Sequence, residues 1–72
     1  MPWVKRNSST WDLFIDGDAA GYVTKTIYKD GTIRYSGIAM YRKTRAVSRP
    51  VSGSTLAPVK TAVARMARAQ RR

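Results

Sequence analysis

Residues 21–42 run Gly-Tyr-Val-Thr-Lys-Thr-Ile-Tyr-Lys-Asp-Gly-Thr-Ile-Arg-Tyr-Ser-Gly-Ile-Ala-Met-Tyr-Arg, and their reading decides the fold. Both halves are rich in β-branched and aromatic residues, which suit a pleated, half-buried surface. Between them stands Asp30-Gly31, a pair that tolerates the positive φ of a tight turn. The stretch is therefore expected to form a hairpin, with strands over residues 21–28 and 32–42. Two registers fit. A two-residue turn pairs Tyr28 with Ile33 and Thr26 with Tyr35, whereas a three-residue turn with Gly31 in a left-handed bulge pairs Ile27 with Ile33 and Lys25 with Tyr35. They differ by one residue, which exchanges the two faces, so the sequence leaves open which tyrosines look outward.

Working back from the hairpin, Trp11-Asp-Leu-Phe-Ile-Asp16 alternates Trp11, Leu13 and Ile15 against Asp12, Phe14 and Asp16, the period of a half-buried strand. Asp16-Gly17-Asp18 ends that strand with turn-forming residues. Residues 1–10 are polar and basic around Trp3, and read as a flexible arm. Working forward, residues 43–53 contain Pro, Gly and Ser without periodicity and read as a mobile basic loop. From residue 56 or 58 to 69 the pattern is helical, with Ser54 or Thr55 as the cap and Pro58 in the first turn. Leu56, Val59, Val63, Met66 and Ala67 form one stripe; Thr61, Arg65, Arg68 and Arg72 form another.

The expected fold is α+β: a three-stranded antiparallel sheet followed by one helix packed on one face, β-β-β-α, as a single domain over residues 11–72. Its core would draw on Trp11, Leu13, Ile15, Val23, Ile27, Ile33 and Ile38, facing Leu56, Val59, Val63 and Met66.

That order of elements resembles the small arm-binding domain of tyrosine recombinases and the related AP2 domain. The resemblance is carried by Trp11, Gly21-Tyr22-Val23, Asp30-Gly31 with Tyr35, and Ser54-Thr55-Leu56 leading to Ala62 and Val63. It spans about residues 11–69 and implies a small phage or mobile-element protein whose helix packs behind the sheet while the other sheet face enters a DNA groove. No recombinase catalytic domain accompanies it, so recombinase activity is not implied.

Charge supplies the functional reading. The 72 residues include 14 Lys and Arg against 4 Asp and no Glu, a net charge of +10. All four carboxylates precede residue 41, so residues 1–40 (five basic, four acidic) carry +1 and residues 41–72 (nine basic, none acidic) carry +9. Such a one-signed field attracts polyanions and opposes compaction. The chain has no His and no Cys, so zinc sites, disulfides, a cysteine nucleophile and a neutral-pH proton shuttle are excluded. It reads as a non-enzyme without cofactor or metal. Two carboxylates in Asp16-Gly17-Asp18 are turn chemistry rather than a cation site. With no apolar run of about 20 residues to span a bilayer and no signal peptide, it reads as cytoplasmic.

The expected nucleic-acid contacts are Lys25, Arg34 and Tyr35 on the hairpin, Arg42, Lys43, Arg45 and Arg49 in the loop, and Lys60, Arg65, Arg68 and Arg72 on the helix. Tyr22, Thr24, Thr26, Tyr28 and Ser36 are further candidates for an outward sheet face. The partner is then a nucleic acid, with DNA favoured over RNA, or an acidic patch on a host protein to which this chain would bind as inhibitor or adaptor. A monomer and a homodimer both fit.

Overall fold

The computed structural model describes residues 3–40 and 47–69. They form β1 (Trp3–Asn7), β2 (Thr10–Ile15), β3 (Asp18–Ile27), β4 (Ile33–Ala39), β5 (Val51–Gly53) and α1 (Leu56–Ala69). The strands make one antiparallel sheet in the order β1-β2-β3-β4-β5, with α1 across one face. The class is α+β, but the expected three-stranded sheet is overturned: there are five strands. β1 lies within the segment read as an arm, and β5 within the segment read as a loop. Both flank the central three, and each has one strand neighbour. An edge strand needs no alternating apolar pattern, and charge on it deters pairing with other chains. β5, at three residues, is too short to show any period at all.

The register is the second of the two expected: Ile27 pairs with Ile33 and Lys25 with Tyr35. Gly31 takes φ 89°; its N–H donates to the Tyr28 carbonyl at 3.0 Å, and the Tyr28 N–H donates to Thr32 at 2.9 Å. Asp30 Oδ1 accepts the Thr32 N–H at 2.9 Å. Hydrogen bonds from the Thr32 side chain and backbone hold the exposed Asp30 carboxyl below its ordinary range. At the other end of β3, Asp16 and Gly17 both have positive φ, 51° and 82°, the mirror-image turn that matches strand twist.

The helix is seated on a track of glycines. A Cβ at Gly21 would lie 2.9 Å from Val63 Cγ1, one at Gly37 would lie 2.7 Å from Val63 Cγ2, and one at Gly53 would lie 3.2 Å from Val59 Cγ2. Running from β5 across β4 to β3, these positions form a trough that Val59 and Val63 fill. Leu13, Ala20, Val23, Ala39, Val59, Val63, Ala64 and Ala67 are buried, with Trp3, Trp11, Ile15, Tyr35, Leu56 and Met66 packed around them. The expected core is corrected in three places. Ile27 and Ile33 are 63% and 39% exposed, because their hairpin end runs on past the helix. Ile38 pairs with Tyr22 on the opposite face. Ala64 and Ala67 lie inside, since glycines beneath a helix permit an approach close enough to bury small side chains.

Residues 47–53 are pinned along β4. The Ser48 N–H donates to the Ala39 carbonyl at 2.8 Å, and the Ala39 N–H donates to Ser48 Oγ at 2.9 Å. The hydroxyl in turn donates to the Arg49 carbonyl at 3.1 Å. Ser48 is buried, so Ser48→Ala orphans a buried N–H and is expected to cost about 1–3 kcal/mol. Thermal melts of the two proteins measure this, and an unchanged midpoint would mean that water serves Ala39 instead.

Candidate nucleic-acid interface

Side chains alternate across a strand, and cross-strand partners share a face. Because Gly21 and Gly37 point at Val63, the helix side carries Val23 and Lys25 of β3 and Tyr35 and Ile33 of β4. The opposite side carries Tyr22, Thr24 and Thr26 of β3 and Arg34, Ser36 and Ile38 of β4. Among the described residues no element covers this second face.

Its centre is a row of hydroxyls, Thr10, Thr24, Ser36 and Ser52, directly opposed from β2 to β5. On one side of the row stand Asp12, Tyr22 and Ile38, and on the other Thr26 and Arg34. Arg6 grips Asp12 through two bonds, Nε to Oδ2 at 2.8 Å and Nη2 to Oδ1 at 2.6 Å. Bonding to that carboxylate, with its Coulombic pull, raises the Arg6 pKa. Solvent screens the exposed guanidinium, so the pair stabilises the fold little. Its larger consequence is electrostatic: the carboxylate at Asp12 on the open face is neutralised. Asp16 and Asp30 stand in turns at the ends of the sheet.

The residues expected from sequence are thus divided among three surfaces. Arg34 lies on the open face. Lys25 and Tyr35 lie on the helix side, and Tyr35 is half-buried, its ring tilted 57° against Trp11 at 6.0 Å. Arg65 and Arg68 lie on the solvent side of α1, where with Thr61 and Ala69 they line a groove of about 330 Å³. A helix diameter, about 10 Å, and the sheet separate them from Arg34, so one groove of a duplex cannot take all of them. Arg49 is exposed beside β5. Arg42, Lys43, Arg45 and Arg72 lie outside the described residues. Among the described residues, Lys25, Arg34, Arg49, Lys60, Arg65 and Arg68 have no carboxylate within ion-pair distance.

Lys60 takes a place the sequence did not suggest. Its Nζ stands 5.3 Å from the Trp3 ring centre and 5.8 Å from that of Trp11. Lys5, the cross-strand partner of Trp11, holds its Nζ 5.6 Å from the same ring. The sequence signal for this is slight: Trp3 and Lys5 stand two residues apart, which in a strand puts both on one face.

Among the described residues no group of three or more metal-ligating side chains gathers, and no helix is long and apolar enough to cross a membrane. No protein-family model, curated protein or solved structure matches the chain, and nothing in those comparisons identifies an arm-binding or AP2-like domain.

Proposed function

We propose that this protein is a small non-enzymatic nucleic-acid-binding module that docks its open sheet face on duplex DNA. The observation that supports this is the uncovered row of Thr10, Thr24, Ser36 and Ser52, flanked by Tyr22 and Arg34, in a chain of net charge +10. Hydroxyls and a guanidinium on a rigid sheet read base edges and phosphates in a groove. The basic residues beyond Met40 supply long-range capture, and cytoplasmic action as an accessory or regulatory factor of the phage type follows from this reading. The competing reading is an inhibitor or adaptor that binds an acidic host protein. It draws support from Ile27, Tyr28 and Ile33, exposed together at the hairpin end.

Amide chemical shifts recorded during titration with a duplex of about 20 base pairs distinguish the two. Docking through the open face shifts Tyr22, Thr24, Arg34, Ser36 and Ser52 together, and Arg34→Ala weakens binding while lowering the salt slope by about 1. Millimolar affinity, with shifts scattered over every Lys and Arg, rejects duplex docking and favours the acidic-protein partner.

A further inference from the structure

Both tryptophans of the chain, Trp3 and Trp11, lie on the helix side at the β1–β2 edge, away from the open face. Each is half-buried: the ring packs against the core cluster but keeps part of its surface in solvent. Trp11 is steadied by Tyr35 behind it. Two ammonium groups, from Lys5 and Lys60, converge on Trp11, and Lys60 also reaches Trp3. Lys25 stands on the same face beside Tyr35. Neither Lys5 nor Lys60 has a carboxylate within ion-pair distance among the described residues, since Asp12 points to the other face and is held by Arg6.

A pair of like charges around one indole is poorly satisfied by the protein itself. An anion between the ammonium groups would relieve their repulsion. A lysine ammonium sits on a flexible four-carbon stem, and an exposed cation–π contact is weaker than the stacking of a nucleobase on an aromatic ring. A base can therefore displace an ammonium from the indole, leaving it free to meet the adjoining phosphate. A duplex cannot use such a ledge, because its bases are already stacked.

We propose that Trp3 and Trp11, with Lys5, Lys60 and Lys25, form a second nucleic-acid site that binds unpaired nucleotides of a single strand, the indoles stacking on bases and the ammonium groups meeting the flanking phosphates. The site goes beyond duplex docking and lies on the opposite face of the sheet, so either can fail without the other. A protein holding both would sit where duplex and single strand meet.

Intrinsic fluorescence tests this without a label, because every tryptophan in the chain belongs to the site. Titration with a 12-residue oligothymidylate at low salt is expected to quench the emission saturably. Trp11→Ala should weaken that binding about ten-fold, within the range for loss of one stacked base. Since Trp11 also packs against the core, Lys60→Gln is the companion variant: it should keep the thermal midpoint and lower the magnitude of the salt slope by about 0.7, the value for one single-strand phosphate. Unchanged emission at oligonucleotide concentrations that saturate binding by anisotropy would overturn the site. So would failure to bind the oligonucleotide at all, even with duplex docking intact.

Discussion

Alanine at Gly21 is expected to be the most damaging conservative change in this protein, with Gly37→Ala close behind. The new Cβ at Gly21 would lie 2.6 Å from the Ile38 carbonyl oxygen, 2.9 Å from Val63 Cγ1 and 3.3 Å from the Ala39 Cα. Two of those three atoms are backbone of the neighbouring strand, and they cannot yield without breaking the β3–β4 ladder. At Gly37 the nearest atoms are Val63 Cγ2 at 2.7 Å, Val23 Cγ2 at 2.9 Å and the Tyr22 carbonyl at 3.0 Å. Side chains of the buried core must give way there, or the helix must lift. Overpacking of this kind costs about 1–3 kcal/mol, with Gly21 at the upper end. A domain of this size holds only about 3–5 kcal/mol in total, and each kcal/mol moves the melting midpoint by about 4–8 °C. Circular dichroism should therefore show Gly21→Ala melting at least 8 °C below the parent. Gly53→Ala, with its nearest atom at 3.2 Å, should fall much less. Adding Val63→Ala to Gly37→Ala should cost less than the sum of the two singles, because the truncation removes the nearest clash. Equal midpoints for all three glycine variants would mean that the helix does not rest on this track.

The second large effect concerns salt. If six of the basic groups meet phosphates, log K falls against log salt with a slope of about −5. Raising salt from 50 to 200 mM should then weaken duplex binding by about 10³-fold. Two of the four carboxylates are already engaged within the protein. Asp12 is neutralised by Arg6, and Asp30 is committed to its turn. Fluorescence anisotropy at four salt concentrations gives the slope. Because the cations occupy three surfaces, the slope also reports geometry: a value near −2 would confine contact to the open face and its rim, and one near −5 would require the basic residues beyond Met40 to wrap the duplex. A slope of zero would remove electrostatic capture altogether.

Much of the central architecture was legible because its causes are local. Asp30-Gly31 marks a hairpin by turn chemistry, the alternation from Trp11 to Ile15 marks a strand, and the 3.6-residue spacing of Val59, Val63 and Ala67 marks a helix face. The outer strands were hidden for an equally physical reason. Val4, Lys5 and Arg6 lie in an edge strand whose polarity protects it, and Val51–Gly53 is held by Ser48 and by β4 rather than by any pattern of its own. Ile27 and Ile33 were misplaced in the core because alternation reveals a face but not how far along it the helix reaches.

The candidate surfaces were legible in charge and illegible in geometry. Sequence alone determined the one-signed charge of the second half, the absence of His and Cys, and the order of hairpin and helix, since composition and short-range dihedral preference decide these. Only the tertiary structure decided that Lys25 and Arg34 part to opposite faces, that Lys60 turns to the tryptophans, and that the glycines form the seat of the helix. Each depends on register and on which surface a distant element covers, and those are set by long-range packing that no local stretch of residues encodes.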